Sequence, residues 1–191
     1  MDTIDCRNMP CPAPVISVKK ALEHSGEIRV LLDDGAPHEN VTRFARNRGF
    51  TLQEEQSDNG WAVTITSGTP DNPTLPASPS GKPVFLVSSD RLGDGPEELG
   101  RLLMKNFIHT LLEAGDLPAR MLFLNSGVRL TTEGSDVLEA LDKLAGMGVE
   151  ILSCGLCLDF FGIKDKLRAG STTNMLAIVE TILATDRIVR L

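Results

Sequence analysis

Residues 5–15 read Asp5-Cys6-Arg7-Asn8-Met9-Pro10-Cys11-Pro12-Ala13-Pro14-Val15, and they join a short strand to a helix. The strand is Thr3–Asp5. The helix spans about Pro12 to His24, because Val15, Val18, Ala21 and Leu22 recur at helical spacing while Lys19, Lys20 and Glu23 are polar. Pro12 and Pro14 set φ near the helical value and suit a first turn, where a missing N–H costs nothing. Cys11 therefore stands at the helix entrance. There the positive end of the helix dipole and the free N–H groups of the first turn favour thiolate over thiol. A helix start also accepts anions, and a persulfide terminus is an anion near neutral pH. The same four residues, Cys11-Pro12-Ala13-Pro14, also fit a plain rigid turn with an incidental cysteine.

Outward from this turn the pattern continues as βαβαββ. Ile28–Leu32 is an apolar strand that stops at Asp33-Asp34-Gly35. His38–Asn47 is a helix with Val41, Phe44 and Ala45 inward and Arg43, Arg46 and Arg48 outward, and Gly49 ends it. Phe50–Glu55 and Trp61–Thr66 alternate as strands about a turn at Ser57-Asp58-Asn59-Gly60, an antiparallel hairpin. One sheet covered by two helices is expected. Residues 68–82 contain Pro70, Pro73, Pro76 and Pro79 and almost nothing apolar, which describes a semi-extended linker. The organisation is then a first domain over 1–67, a linker over 68–82 and a second domain over 83–191. A flexible linker of that size reaches roughly 20 Å and holds two sites at about millimolar effective concentration.

The second domain alternates strands and helices. Val84–Val87, Met121–Leu124 and Val149–Leu152 are short apolar runs, as in strands buried on both faces. Helices are expected at about Pro96–Ala114, Ser135–Gly146, Phe160–Leu167 and Asn174–Ala184, with a last strand at Arg187–Leu191. The series implies a parallel sheet with right-handed crossovers, hence an α/β three-layer domain. On the first of these helices Leu99, Leu102, Leu103, Phe107, Ile108, Leu111 and Leu112 form a wide stripe read as core, and Met104 leaves room for a subunit contact and a homo-oligomer.

Composition narrows the function classes. The chain has 191 residues, 41% of them hydrophobic, which suits a globular protein. A net charge of −7 gives no electrostatic reason to expect nucleic acid or an anionic membrane as partner. No apolar run approaches the ~18 residues of a membrane span, and the start MDTIDCRNMP lacks the apolar core of a signal peptide. A cytoplasmic location is expected. The four cysteines form two tight pairs, Cys6 with Cys11 and Cys154 with Cys157. In a reducing compartment such pairs point to reactivity or metal binding more than to structural disulfides.

Cys154-Gly155-Leu156-Cys157 follows the expected strand Val149–Leu152. Ligands of open parallel sheets bind beyond the carboxyl ends of strands, and the loops Ser88-Ser89-Asp90 and Asn125-Ser126-Gly127 open on that same side. The spacing fits a redox disulfide, half a zinc site, or two inert loop cysteines. His24, His38 and His109 show no ligand spacing to these thiols, so no metal and no cofactor is expected. Gly93-Asp94-Gly95 does not continue as G-x-G-x-x-G, since Glu98 holds the third position and Asp90, Asp94 and Glu97 would repel a diphosphate.

The stretch Asp5–Val15, followed by Lys19-Lys20-Ala21-Leu22, resembles the opening of the TusA/SirA family of βαβαββ sulfur carriers. The resemblance covers residues 1–67 and implies that Cys11 bears a persulfide, supported by Pro12 and Pro14. Asn8 stands where many members have glycine. The second domain resembles the DsrE-like sulfur-relay fold, in which a reactive cysteine follows a strand and a glycine lies eight positions on. Cys154 and Gly162 keep that spacing, so the resemblance assigns Cys154 as reactive and Cys157 as supporting. The family usually has a basic residue before that glycine, and here it is Phe161. The fusion, with Gly93-Asp94-Gly95, Glu98-Leu99-Gly100 and Asn125-Ser126-Gly127-Val128, looks like the YedF family, sulfurtransferase-like and linked to selenium metabolism. These resemblances imply a persulfide carrier that takes a sulfane atom from a donor such as a cysteine desulfurase. It would pass the atom to a downstream thiol or selenium-pathway acceptor, including Cys154 of the same or a neighbouring chain. A binding or regulatory module, or a thiol–disulfide switch at Cys154 and Cys157, is the competing expectation.

Overall fold

The computed structural model describes residues 2–10, 12–57, 59–66 and 81–191. Most of the proline-rich linker and Cys11 itself lie outside the described residues. The chain forms two compact units, each with its own sheet.

The first unit follows the order β1 (Asp2–Asp5), α1 (Ala13–Leu22), β2 (Glu27–Leu32), α2 (Ala36–Asn47), β3 (Thr51–Ser57) and β4 (Gly60–Thr66). The sheet order is β1-β2-β4-β3, with β1 parallel to β2 and the remaining pairs antiparallel. Alternation decides the buried face. Ile28, Val30 and Leu32 of β2 are fully buried with Val63 and Ile65 of β4, and Val30 pairs with Val63 in register. Val15 and Val18 of α1 and Val41, Phe44 and Ala45 of α2 close this core from one side. Gly49 ends α2 at φ +70°. Its N–H reaches the Arg46 carbonyl and the Phe50 N–H reaches that of Ala45, a Schellman motif.

The second unit holds β5 (Val84–Val87), α3 (Glu97–Leu111), β6 (Arg120–Phe123), a 3-10 helix (Asn125–Thr131), α4 (Leu138–Gly146), β7 (Glu150–Cys154), α5 (Gly155–Phe160), a 3-10 turn (Lys164–Lys166), β8 (Ser171–Thr173), α6 (Met175–Leu183) and β9 (Ile188–Arg190). All its strands are parallel, in the order β8-β7-β6-β5-β9. Met121, Leu122 and Phe123 are buried in succession, so both faces of the sheet are covered. Arg120 is only 4% exposed, and its guanidinium pairs with the carboxylate of Glu150, its cross-strand partner in the β6–β7 register.

Two expectations need correcting. The helix expected at Phe160–Leu167 instead occupies Gly155–Phe160, directly after β7, and β8 was not anticipated. The stripe on α3 also divides. Met104, Ile108 and Leu111 point inward, whereas Leu99, Leu102 and Leu103 are 48%, 54% and 42% exposed. Met104 is fully buried and offers no surface to a neighbouring subunit.

Candidate functional site

The turn into α1 is framed from both sides. The Cys6 N–H donates to the Leu31 carbonyl at 2.9 Å, which ties the end of β1 to β2. Arg7 clamps Asp5 at 2.6 Å and holds that carboxyl down at about 2. Asn8 adopts φ +60°, the left-handed conformation that asparagine tolerates better than most residues, and its N–H donates to the Asp33 carboxylate. Asparagine therefore replaces glycine here without loss of the turn. Beyond residue 11, Pro12 caps α1 with φ −98°, the Ala13 N–H donates to the Pro10 carbonyl at 2.9 Å, and Pro14 is buried in the first turn. The site expected at Cys11 thus has a described frame, while Cys11 lies outside the described residues.

Cys6 belongs to the core rather than to the chemistry. It is fully buried, packed with Val15, Val18 and Leu32. Burial pushes its thiol up, the charge of Asp5 adds to this, and a hydrogen bond with Ser17 opposes them. Iodoacetamide near neutral pH should therefore leave Cys6 untouched in the folded chain and modify it in denaturant, as read by peptide mass. Cys6→Ala should cost about 1 kcal/mol as a small cavity. Rapid folded-state modification would show that the core opens at this point.

In the second unit the loops after β5, β6 and β7 converge, as the strand ends predicted. The Asp90 N–H donates to Ser126 Oγ at 3.3 Å, linking the first two. The 3-10 helix after β6 is anchored by Thr131, whose hydroxyl donates to the Val128 carbonyl at 2.8 Å and meets the Ser153 hydroxyl at 2.8 Å. Ser153 directly precedes Cys154, so this buried hydroxyl pair sets the height of the cysteine loop against the 3-10 helix. Cys154 is 1% exposed at the junction of β7 and α5. Burial pushes its thiol up to about 12, although the N–H groups of Cys157 and Leu156 point to its sulfur and pull the other way. A side-chain hydrogen bond joins it to Cys157.

Cys157 stands differently. It is half-buried, and its sulfur accepts the Asn125 N–H at 3.2 Å. Asn125 is itself left-handed, at φ +46°. One turn further along both helices, the Arg129 guanidinium lies 4.7 Å over the Phe161 ring. Asn125 to Arg129 and Cys157 to Phe161 are both four-residue steps, so the 3-10 helix and α5 are tied twice in parallel. Arg129 was not singled out by the sequence, because it is distant in the chain from both cysteines. Gly162 at φ +63° completes a Schellman stop on α5, its N–H on the Asp159 carbonyl and that of Ile163 on Leu158. Among the described residues no cluster of three or more His, Cys, Asp or Glu side chains is placed to hold a metal ion. No helix among them is long and apolar enough to cross a membrane.

A βαβαββ sheet whose first strand delivers a Cys-Pro-x-Pro turn to its first helix defines a small thiol-bearing α/β class. Within that class the family model described as Sulfurtransferase TusA matches residues 2–67, and through this unit the chain belongs to the TusA family. A protein of Methanocaldococcus jannaschii named "Putative sulfur carrier protein" is 36% identical over 69 residues, covering 34% of this chain and 92% of the relative. The crystal structure of a SirA-like protein from Desulfitobacterium hafniense shares 37% identity, covers 36% of this chain and 99% of that one, and gives a TM-score of 0.34. The crystal structure of the ychN protein from E. coli covers 58% of this chain and 99% of that one, at 16% identity and a TM-score of 0.45.

Proposed function

We propose that the chain is a sulfur carrier that holds a sulfane atom as a persulfide on Cys11 and relays it. The observation that supports this most is the family match over residues 2–67, which includes the whole Cys11-Pro12-Ala13-Pro14 turn. A relative that bears the name of a sulfur carrier over almost its full length agrees with it. The chemistry is a thiol exchange. The Cys11 thiolate attacks the terminal sulfur of a donor persulfide, the donor S–S bond breaks, and the donor thiolate leaves. Pro12 and Pro14 stiffen the loop that presents it. A cysteine desulfurase is the donor class this reading requires, with a downstream thiol or a selenium-pathway protein as acceptor. The second unit is read as a DsrE-like relay partner, with Cys154 and Cys157 as its thiols and the fusion as YedF-like. A parallel sheet with a paired-cysteine loop at its carboxyl end supports that part.

The test is intact mass after incubation with a cysteine desulfurase and cysteine. The chain is expected to gain about 32 Da on Cys11, and the Cys11→Ser variant to gain none at that position. An unchanged mass for the wild-type chain would leave a binding module as the reading.

A further inference from the structure

We propose that a cleft beside Phe161 receives a small anionic sulfane-sulfur donor, and that Cys157 rather than Cys154 takes the sulfur atom from it. The inference rests on the reading of this chain as a sulfur carrier and reverses the roles of the two thiols in its second unit. The cleft has a volume of about 710 Å³ and is bounded by α3, the 3-10 helix and the segment after α5. That size suits a small molecule.

The charges of the cleft decide the ligand class. Arg101 pairs with Asp90 at 3.6 Å and Lys105 with Asp136 at 3.0 Å, so these lining charges cancel. Glu133 is taken by Arg168 at 3.4 Å. Arg129 and Lys166 also line the cleft and have no carboxylate partner among the described residues. Two uncancelled cations beside an aromatic face select an anion with a short organic body. Lys164 is held by Asp159 at 3.6 Å and adds no free charge.

Neither thiol lines the cleft itself, and Cys157, one helical turn before the lining residue Phe161, is the better placed acceptor. Cys154 is 1% exposed, whereas Cys157 is partly open and one helical turn from Phe161. The Asn125 N–H already points at the Cys157 sulfur, and a hydrogen bond to an anionic sulfur strengthens as charge develops. Phe161 fills the place where the resembling family has a basic residue, and Arg129 stacked on its ring returns the cation to that spot.

The step balances without an oxidant. The Cys157 thiolate attacks the terminal sulfur of R–S–S–H, the donor S–S bond breaks as the Cys157 S–S bond forms, and R–S⁻ leaves with the electron pair. The sulfane sulfur keeps its oxidation level. The new persulfide then releases its proton to water, and its anion faces Asn125 and Arg129.

The experiment uses full-length chains with glutathione persulfide, which is anionic, and cysteamine persulfide, whose ammonium group offsets its persulfide charge. Loading is trapped by alkylation and read by mass. Cys11→Ser/Cys154→Ser is expected to gain about 32 Da, and Cys11→Ser/Cys157→Ser to gain nothing. In the wild-type chain, fragmentation of the peptide that holds both thiols should place the sulfur on Cys157. This second measurement decides the matter even where a variant unfolds. Arg129→Gln and Lys166→Gln should each slow loading from the anionic donor roughly fivefold and leave the ammonium-bearing donor unaffected. Sulfur on Cys154 at an equal or higher rate, or no loading of Cys157, overturns the assignment. Equal slowing for both donors overturns the cleft. Loading of Cys11 by the desulfurase is scored separately, so a failure here is distinct from failure of the carrier reading.

Discussion

Iodoacetamide applied to the folded chain at about pH 8 is expected to leave Cys154 unmodified, and to modify it readily once the chain is unfolded. With the thiol pushed up to about 12 by burial, the thiolate is about one part in 10,000 at that pH. An ordinary exposed thiol at 9.0 is about one-tenth ionised, so ionisation alone protects Cys154 by about a thousandfold. Burial of the sulfur adds to that. The same displacement links stability to pH. The folded chain keeps the Cys154 proton more tightly than the unfolded chain does, so this contribution is complete below about pH 9. It is lost as pH rises from about 9 toward about 12. Urea midpoints across that window should fall more steeply for the wild-type chain than for Cys154→Ala. Fast alkylation of Cys154 in the folded chain would show that the loop opens far more often than its packing implies.

The second large effect belongs to Gly127. A Cβ built there would lie 2.3 Å from the Val87 carbonyl oxygen and 3.1 Å from its carbon. Both are backbone atoms at the end of β5, and that carbonyl already accepts the Leu124 N–H at 2.9 Å. Nothing flexible is available to yield, so Gly127→Ala should break the contact between the β5 and β6 loops. A loss of about 3 kcal/mol or more is expected, with a fall in Tm of the second unit above about 10 °C. Gly95 is the matched control. Its surroundings are open, and alanine there should change stability by less than about 0.5 kcal/mol. Calorimetry of the two variants separates steric contact from a general intolerance of alanine. Equal melting temperatures would remove the steric argument.

The βαβαββ unit was legible because each element carried its own signal. A short apolar run marked Ile28–Leu32, alternation marked Trp61–Thr66, helical spacing marked Val15 and Val18, and Gly49 marked an end that the structure closes in the same way. The parallel sheet was legible for the complementary reason, since continuous apolar runs such as Met121–Phe123 need cover on both faces. What the sequence hid was short or assembled from distant residues. Six residues of α5 are too few to show a period, and their first is Gly155, a poor helix former. β8 is three residues of Ser and Thr. The α3 stripe misled because leucine counts as core in any pattern, yet only one side of that helix meets the sheet. The pairing of Arg129 with Phe161 joins positions 32 apart and leaves no local trace. Convergence of the three loops was foreseen from the general behaviour of parallel sheets. Which of the two thiols would be buried there was not.

The Arg120–Glu150 pair can be regarded as the zero mark of a ruler. From that mark β6 and β7 advance together, and the reading at the far end is the level at which the Asn125 amide meets the Cys157 sulfur. Each residue is a graduation of roughly 3.3 Å, so the mark stands about 16 Å from Asn125, well away from any reacting atom. A shift of one graduation would carry the amide past the sulfur and turn alternate side chains to the opposite face. Calibration and chemistry therefore sit at opposite ends of the same two strands. A residue that never approaches a substrate still decides whether the reacting groups line up.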